Sequence, residues 1–241
     1  MTALRGVIAL AATLVAGPAG AQEITIGLGE DGSLTARSIQ LILLLTVLSL
    51  APGIAVMITC FPFLVTVLAI LRQGLGLQQS PPNMLIVSLA LFLTWYVMEP
   101  VFTAAWSAGV DPLIEGRLAV DAAFDAAMEP FRGFMTSRVD GSTLAAMADL
   151  RDTPVETAPG EMPLSVLVPS FMLSEIAQAF QIGFLIFLPF LIIDLVVAAV
   201  LMSMGMMMVP PAIVALPFKL AFFVVADGWS LIAGALVRSY L

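Results

Sequence analysis

Long apolar runs alternate with short polar connections along most of this chain. Four runs stand out, at residues 39–71, 84–108, 182–209 and 212–237. Each is longer than the roughly 20 apolar residues that a helix needs to cross a bilayer. The pattern therefore predicts an all-α, membrane-associated protein with four long hydrophobic segments.

Prolines and glycines mark the joints between these segments. RQGLGLQQSPPN at residues 72–83 connects the first two, and VPP at 209–211 connects the last two. Both joints are typical of turns, so we predict two helical hairpins. The first run is over-long and contains Pro52 and Pro62, which predicts a kinked or broken helix there.

A polar, acidic stretch at residues 111–165 separates the two hairpins. Its charge makes nucleic acid and anionic lipid improbable partners. We predict a small helical domain in which Pro130 begins a second short helix. Its core is expected to be a stripe of apolar residues at helical spacing: Phe124, Met128, Phe131 and Met135.

The amino-terminal residues resemble a secretory signal. Arg5 precedes a short apolar stretch at residues 7–16, and AGA at 19–21 is a small-residue cleavage site. We expect the mature chain to begin near Gln22; the alternative is an uncleaved first helix. The predicted organisation is a signal peptide (1–21), an extracytoplasmic segment (22–38), the first hairpin (39–110), the acidic extracytoplasmic domain (111–165) and the second hairpin (166–241).

Composition agrees with a membrane location. The chain is 61% hydrophobic and only 11% charged, with a mean hydropathy of +1.08. It contains no histidine, which excludes histidine-based triads and the usual zinc sites. The single cysteine, Cys60, lies in an apolar run and is expected to be a small buried side chain. Neither a metal nor a cofactor is predicted.

Three charged residues interrupt the last two apolar runs: Asp194, Lys219 and Asp227. Two aspartates could share a proton, as in aspartic proteases, but the GxGD signature of intramembrane aspartyl proteases is absent. We therefore expect these charges to pair with one another or with partner subunits. A fourth charge, Glu99, lies at the edge of the second run.

A polar stripe precedes the third run. Ser174, Gln178 and Gln181 recur at helical spacing, with Glu175 beside them. Because lipid offers such side chains no hydrogen bonds, the stripe predicts a polar lumen or a subunit interface.

Two stretches, residues 72–94 and 179–229, resemble the FliP/SctR family of type III secretion export-gate proteins, especially its flagellar members. The resemblance implies a non-enzymatic channel subunit for unfolded flagellar proteins, placed in the bacterial inner membrane at the flagellar basal body with a periplasmic domain. It implies five copies assembled with FliQ and FliR, in association with FlhB and FlhA. Phe63 and Ala177 replace an arginine and a lysine of better-known members, so no role is carried over for those charges.

The joint of the second hairpin contains five methionines around one glycine, in LMSMGMMMVPP at residues 201–211. Methionine is flexible and polarizable, so a ring of such side chains could seal a channel and still part for a polypeptide. Composition alone favours ordinary core or lipid-facing residues; the resemblance implies instead that they form the gate. The predicted seal is Met206, Met207 and Met208, with Gly205, Pro210 and Pro211 as the hinge residues.

Two alternatives stay open at this point. An injectisome subunit would share the same fold and chemistry. A small-solute transporter would also combine apolar helices with a few charges, but it typically contains internal repeats around a central site. The two hairpins show no evident repeat.

Overall fold

The structure is a computed structural model that describes residues 34–77, 82–151, 162–206 and 208–240. The predicted signal peptide and the proposed start at Gln22 lie outside these residues and stay predictions. Within the described ranges the regular secondary structure is helical, which confirms the all-α part of the predicted fold class. The α-helices are α1 (Leu34–Met57), α2 (Phe61–Gly74), α3 (Asn83–Ala105), α4 (Asp111–Ile114), α5 (Val120–Arg138), α6 (Gly141–Asp149), α7 (Leu164–Ser203), α8 (Pro211–Val225) and α9 (Gly228–Arg238).

The first apolar run is broken, as predicted, and the break lies beside its second proline. Helix α1 ends at Met57 and α2 begins at Phe61. Pro62 occupies the first turn of α2, where its missing N–H would have no partner in any case. Pro52 lies inside α1. Cys60, just before α2, is fully buried, as expected.

Helix α2 is the centre of the larger hydrophobic core. Phe63, Leu64, Val67 and Leu71 are all fully buried, and both α3 and α7 pack against the helix. Helix α2 has only 14 residues, about 21 Å by its rise, so it is shorter than the hydrocarbon core of a bilayer. It is therefore a packing element between longer helices.

Helix α7 is the longest element, with 40 residues and a length of about 60 Å. It begins at Leu164, before the third apolar run at residue 182 and near residue 166, where the second hairpin was predicted to start. Its first turns lie in a second core, to which α7 contributes Val166, Leu167 and Phe171 and the acidic segment contributes Met135 and Leu144. The acidic segment therefore packs directly on α7.

Two expectations for the acidic segment are wrong. Pro130 lies inside α5 and does not begin a new helix. We attribute its tolerance to the neighbouring Phe131 and Phe134, which pack on the core and offset one missing backbone hydrogen bond. In the predicted stripe Met135 is buried, whereas Phe124 is 60% exposed.

A π-helix, Trp106–Val110, continues α3. Its Gly109 is buried where the chain crosses α5, and a Cβ there would lie 2.4 Å from the carbonyl oxygen of Ala123. Only glycine allows so close an approach. This crossing holds α5 against the end of α3.

The fourth apolar run, predicted as one segment, is bent by 62° between α8 and α9. Asp227 adopts the left-handed conformation, with φ of 47°. The following Gly228 packs so closely against the ring of Phe223 that a Cβ would lie 2.3 Å from it. The bend therefore has a local cause in the Asp227–Gly228 pair.

Among the residues that the structure describes, three helical stretches have the length and composition to cross a membrane: Ser38–Met57, Asn83–Ile114 and Leu164–Ser203. The bent pair α8 and α9 would make a fourth if it counts as one span. These stretches give the chain the character of a membrane protein.

Candidate gate loop and buried charge clusters

The loop between α7 and α8 has a defined start and end. Gly205 has a φ of +74°. The N–H of Met206 donates to the carbonyl of Leu201 at 3.0 Å, and the N–H of Gly205 donates to Met202 at 3.1 Å. These two bonds and the left-handed glycine form a Schellman cap, which ends α7. Pro210 and Pro211 then start α8.

The described methionines of this loop are exposed. Met204 is 67% exposed, Met206 40% and Met208 97%. Met207, the remaining residue of the predicted seal, lies outside the described residues. Since the loop contributes little to the chain's own core, its apolar side chains are available to other molecules.

Two of the three predicted membrane charges form an ion pair. The Nζ of Lys219 on α8 lies 2.6 Å from Oδ2 of Asp194 on α7, and it donates to the carbonyl of Gly74 at 3.0 Å. Pairing within the chain was one of the two alternatives that the sequence left open. The cluster ties the end of α2 to both helices that carry the loop.

Asp227 lies outside this cluster, exposed at the bend before α9. The second carboxylate oxygen of Asp194, Oδ1, is buried and has no hydrogen-bond partner in the described part of the chain. The two aspartates therefore do not share a proton, so this arrangement cannot perform aspartic-protease chemistry. In the same residues no group of acidic or cysteine side chains could hold a metal ion.

A second charge cluster, centred on Arg138, was not predicted. Arg138 is the last residue of α5, and its Nε donates to Oε1 of Glu175 on α7 at 3.1 Å. Its other nitrogens donate to the carbonyl of Ser239 at 2.9 Å and to Oε1 of Gln178 at 2.5 Å. The Tyr240 hydroxyl donates to the other oxygen of Glu175, so both carboxylate oxygens are satisfied.

The aromatic ring of Tyr240 packs against the Arg138 cluster. The guanidinium carbon of Arg138 lies 4.2 Å from the centre of the Tyr240 ring, a cation–π contact. The buried Phe63 meets the same ring edge-on, with 5.3 Å between centres. Burial, and then the nearby Glu175 carboxylate, raise the pKa of Tyr240, so its hydroxyl remains a donor. Phe63, where the family resemblance implies an arginine, thus packs beside this cluster.

Most of the predicted polar stripe is used inside the chain. Glu175 and Gln178 bind Arg138, and the Ser174 hydroxyl accepts from the N–H of Asp140 at 3.0 Å. Asp140 caps α6 through Thr143, and hydrogen bonds from Ser142 and Thr143 lower the pKa of its carboxyl. Gln181 is exposed. A buried glutamate in an apolar helix requires a cation, which is the signal that could have directed attention to Arg138.

Comparison with known proteins gives a consistent picture. A sequence model described as the FliP family matches residues 44–236. The chain is 52% identical to the flagellar biosynthetic protein FliP of Caulobacter vibrioides, over 96% of this chain and 88% of that protein. Proteins of the same name are 47% identical in Rhizobium meliloti, over 96% and 97% of the two chains, and 43% identical in Bacillus subtilis, over 90% and 98%. The chain belongs to the FliP family.

Proposed function

We propose that this chain is a core subunit of the flagellar type III export gate, in which it forms part of the channel for unfolded flagellar proteins. As a FliP family member it is a component of the flagellar export apparatus and not an enzyme. Its apolar helices suit the bacterial inner membrane. The channel, its seal and its partners are the proposed part.

The observation that carries this proposal is the exposed methionine loop. The Schellman cap at Gly205 and the proline pair fix where the loop begins and ends. Between them Met206 and Met208 extend away from the chain's own core. We propose that Met206, Met207 and Met208 from several copies meet and exclude water, while their flexible side chains part for a polypeptide.

The apolar surface that the single chain leaves uncovered supports an assembly, and the family resemblance implies its composition. Exposed large apolar residues cover α1 and the second half of α7. In water such surfaces mark interaction sites or lipid contact. We propose that five copies assemble with FliQ and FliR, and that the complex associates with FlhB and FlhA at the flagellar basal body. The acidic segment of residues 111–165 would face the periplasm.

The flagellar role is favoured over an injectisome role. The three relatives described above are all named as flagellar biosynthetic proteins. A small-solute transporter would need a central polar site, whereas the described clusters around Arg138 and Lys219 are occupied by the chain's own side chains.

The experiment replaces the three loop methionines by alanine in cells that depend on this protein for swimming. Because the lost side-chain volume would leave a hole in the seal, ion conductance through the assembled complex should increase several-fold, while export continues. The matched control is Met202→Ala, which removes an exposed methionine from the side of α7. It should leave the complex as ion-tight as the wild type. An assembled triple variant that does not leak would show that the loop is not the seal.

A further inference from the structure

One face of α3 combines aromatic rings with a carboxylate. Phe92, Trp95, Tyr96 and Glu99 recur at spacings of three, four and seven residues, so their side chains share one side of the helix. Phe92 is 75% exposed, Trp95 64% and Tyr96 63%, and Glu99 is exposed as well. We call these four residues the α3 stripe.

The α3 stripe lies inside a candidate membrane span and not at its end. The span Asn83–Ile114 contains it. Trp106, about 16 Å beyond Trp95 along the helix, donates its indole N–H to Asp111 at 2.9 Å. Trp106 therefore suits the polar boundary, because amphipathic rings concentrate at that level. Glu99 lies about two turns deeper, where lipid would leave a carboxylate without hydrogen bonds.

The rings of the α3 stripe are partly fixed by the chain itself. Trp95 stacks on Phe102 with 5.3 Å between ring centres, and Phe102 meets Phe131 edge-on at 5.8 Å. One face of Trp95 is thus held against its own chain while much of the ring stays exposed. Large aromatic residues that are already ordered before binding are typical of the central part of a protein interface.

We propose that the α3 stripe docks an apolar helix of another protein that carries an arginine or lysine. The cation would pair with the Glu99 carboxylate and lie against the rings of Trp95 and Tyr96, which attract positive charge through their faces. Away from water, a charge-assisted contact of this kind is stronger than at an exposed surface. The apolar remainder of the partner helix would cover Phe92.

A different protein fits this requirement better than a second copy of the chain. Most described cations already contact an acceptor in their own chain: Arg72 binds Asn83, Arg117 binds Glu115, Arg132 binds the Met162 carbonyl, Arg138 binds Glu175 and Lys219 binds Asp194. A second copy would have to break one of these contacts or use Arg151, Arg238 or one of the two arginines whose side chains lie outside the described part of the chain, Arg5 and Arg37. The proposal does not depend on the role of the methionine loop.

The first test is charge reversal in the full-length protein in its native membrane. Glu99→Lys should reduce the amount of assembled complex on native gels by about tenfold or more, because it places two cations together, and Glu99→Gln should reduce it less. The matched control Asp125→Lys changes an exposed acid on α5 and should assemble normally. Unfolding of the detergent-purified chain should be the same for all three variants. Normal assembly of Glu99→Lys would overturn the proposal.

The nature of the partner is tested in two further ways. Suppressors of Glu99→Lys should map to a lysine or arginine codon of another membrane protein. Rescue by an arginine-to-glutamate substitution in this chain, at residue 5, 37, 151 or 238, would assign the cation to a second copy and overturn the proposal. The chain has three tryptophans, so Trp106→Phe with Trp229→Phe leaves Trp95 as its only tryptophan, whose fluorescence can be excited selectively. In the assembled complex, lipids brominated on their acyl chains should not quench it. Strong quenching would show that lipid covers the α3 stripe.

Discussion

The two halves of α7 have opposite surroundings although they form one continuous helix. Residues 164–183 contain eight of its ten buried positions, and the acidic segment and α2 together cover this half of the helix. Residues 184–203 contribute Phe190 and Leu201 to that set and leave many large apolar side chains exposed. The first half therefore supports the fold of the single chain, whereas the second half leaves an apolar surface for contacts with other molecules.

The polar groups differ in the same way. In the first half Glu175 is fully buried and paired with Arg138 and Tyr240. In the second half the Asp194 side chain is 36% exposed, and only one of its oxygens is bonded. Sequence periodicity alone does not distinguish Glu175 from Asp194, because each is a carboxylate in an apolar helix. The comparison indicates that one half of a helix can stabilise the chain while the other half serves its function. Three experiments test this separation.

The largest effect is expected for Arg138→Ala, which strips the buried Glu175 carboxylate of its cation. Breaking one side of a buried ion pair costs about 3–5 kcal/mol of unfolding free energy. The measurement is denaturant unfolding of the purified chain in detergent. The double variant Arg138→Met with Glu175→Gln should recover most of this loss, because no charge is left unpaired. Arg117→Ala, which breaks an exposed pair with Glu115, should cost no more than about 1 kcal/mol. Equal losses for Arg138→Ala and Arg117→Ala would contradict a supporting role for the first half.

A smaller effect is expected for Gly205→Ala at the other end of α7. A Cβ there meets no neighbouring atom, but the residue has a φ of +74°, which costs other residues about 1–2 kcal/mol. The matched control is Gly133→Ala within α5, where the added methyl group also has free space and should stabilise the helix by about 0.5–1 kcal/mol. The same unfolding measurement compares the two. If both substitutions stabilise the chain, the left-handed cap does not define the loop.

The smallest effect on stability is expected for Met208→Ala. Its side chain is 97% exposed, so the free energy of unfolding should change by less than about 0.5 kcal/mol. Under the proposed function the same variant still weakens the seal, and the conductance of the assembled complex measures this. A large loss of stability would place Met208 among the residues that support the fold and would remove the contrast between the two halves.

Local patterns predicted much of the fold. The helical class, the break beside Pro62 and the position of the methionine loop all depend on residues within a few positions of one another. The bend at Asp227 was not predicted, because no proline marks it. Its cause is a left-handed aspartate followed by a glycine beneath the ring of Phe223, which composition alone does not reveal.

The Arg138 cluster was missed because its contacts join distant parts of the sequence. Arg138 lies 37 residues from Glu175 and 101 residues from Ser239 along the chain. Helical spacing showed that Glu175 and Gln178 belong to one polar stripe, but it could not identify their partner. The third apolar run marks only the second part of α7, because the first turns of the helix pack on the acidic segment and carry the polar stripe.

The π-helix at Trp106–Val110 sets the rotational register of everything that follows α3. A π-turn accommodates one residue more than an α-turn, and each residue of an α-helix advances by about 100° around the axis. A chain shortened by one residue here would present a different side chain to Ala123 in place of Gly109. Helix α5 could then no longer approach the backbone, and Arg138 at its end would move away from Glu175. The length of this short stretch, and not only its composition, is thus a constraint that sequence alignments of the family should preserve.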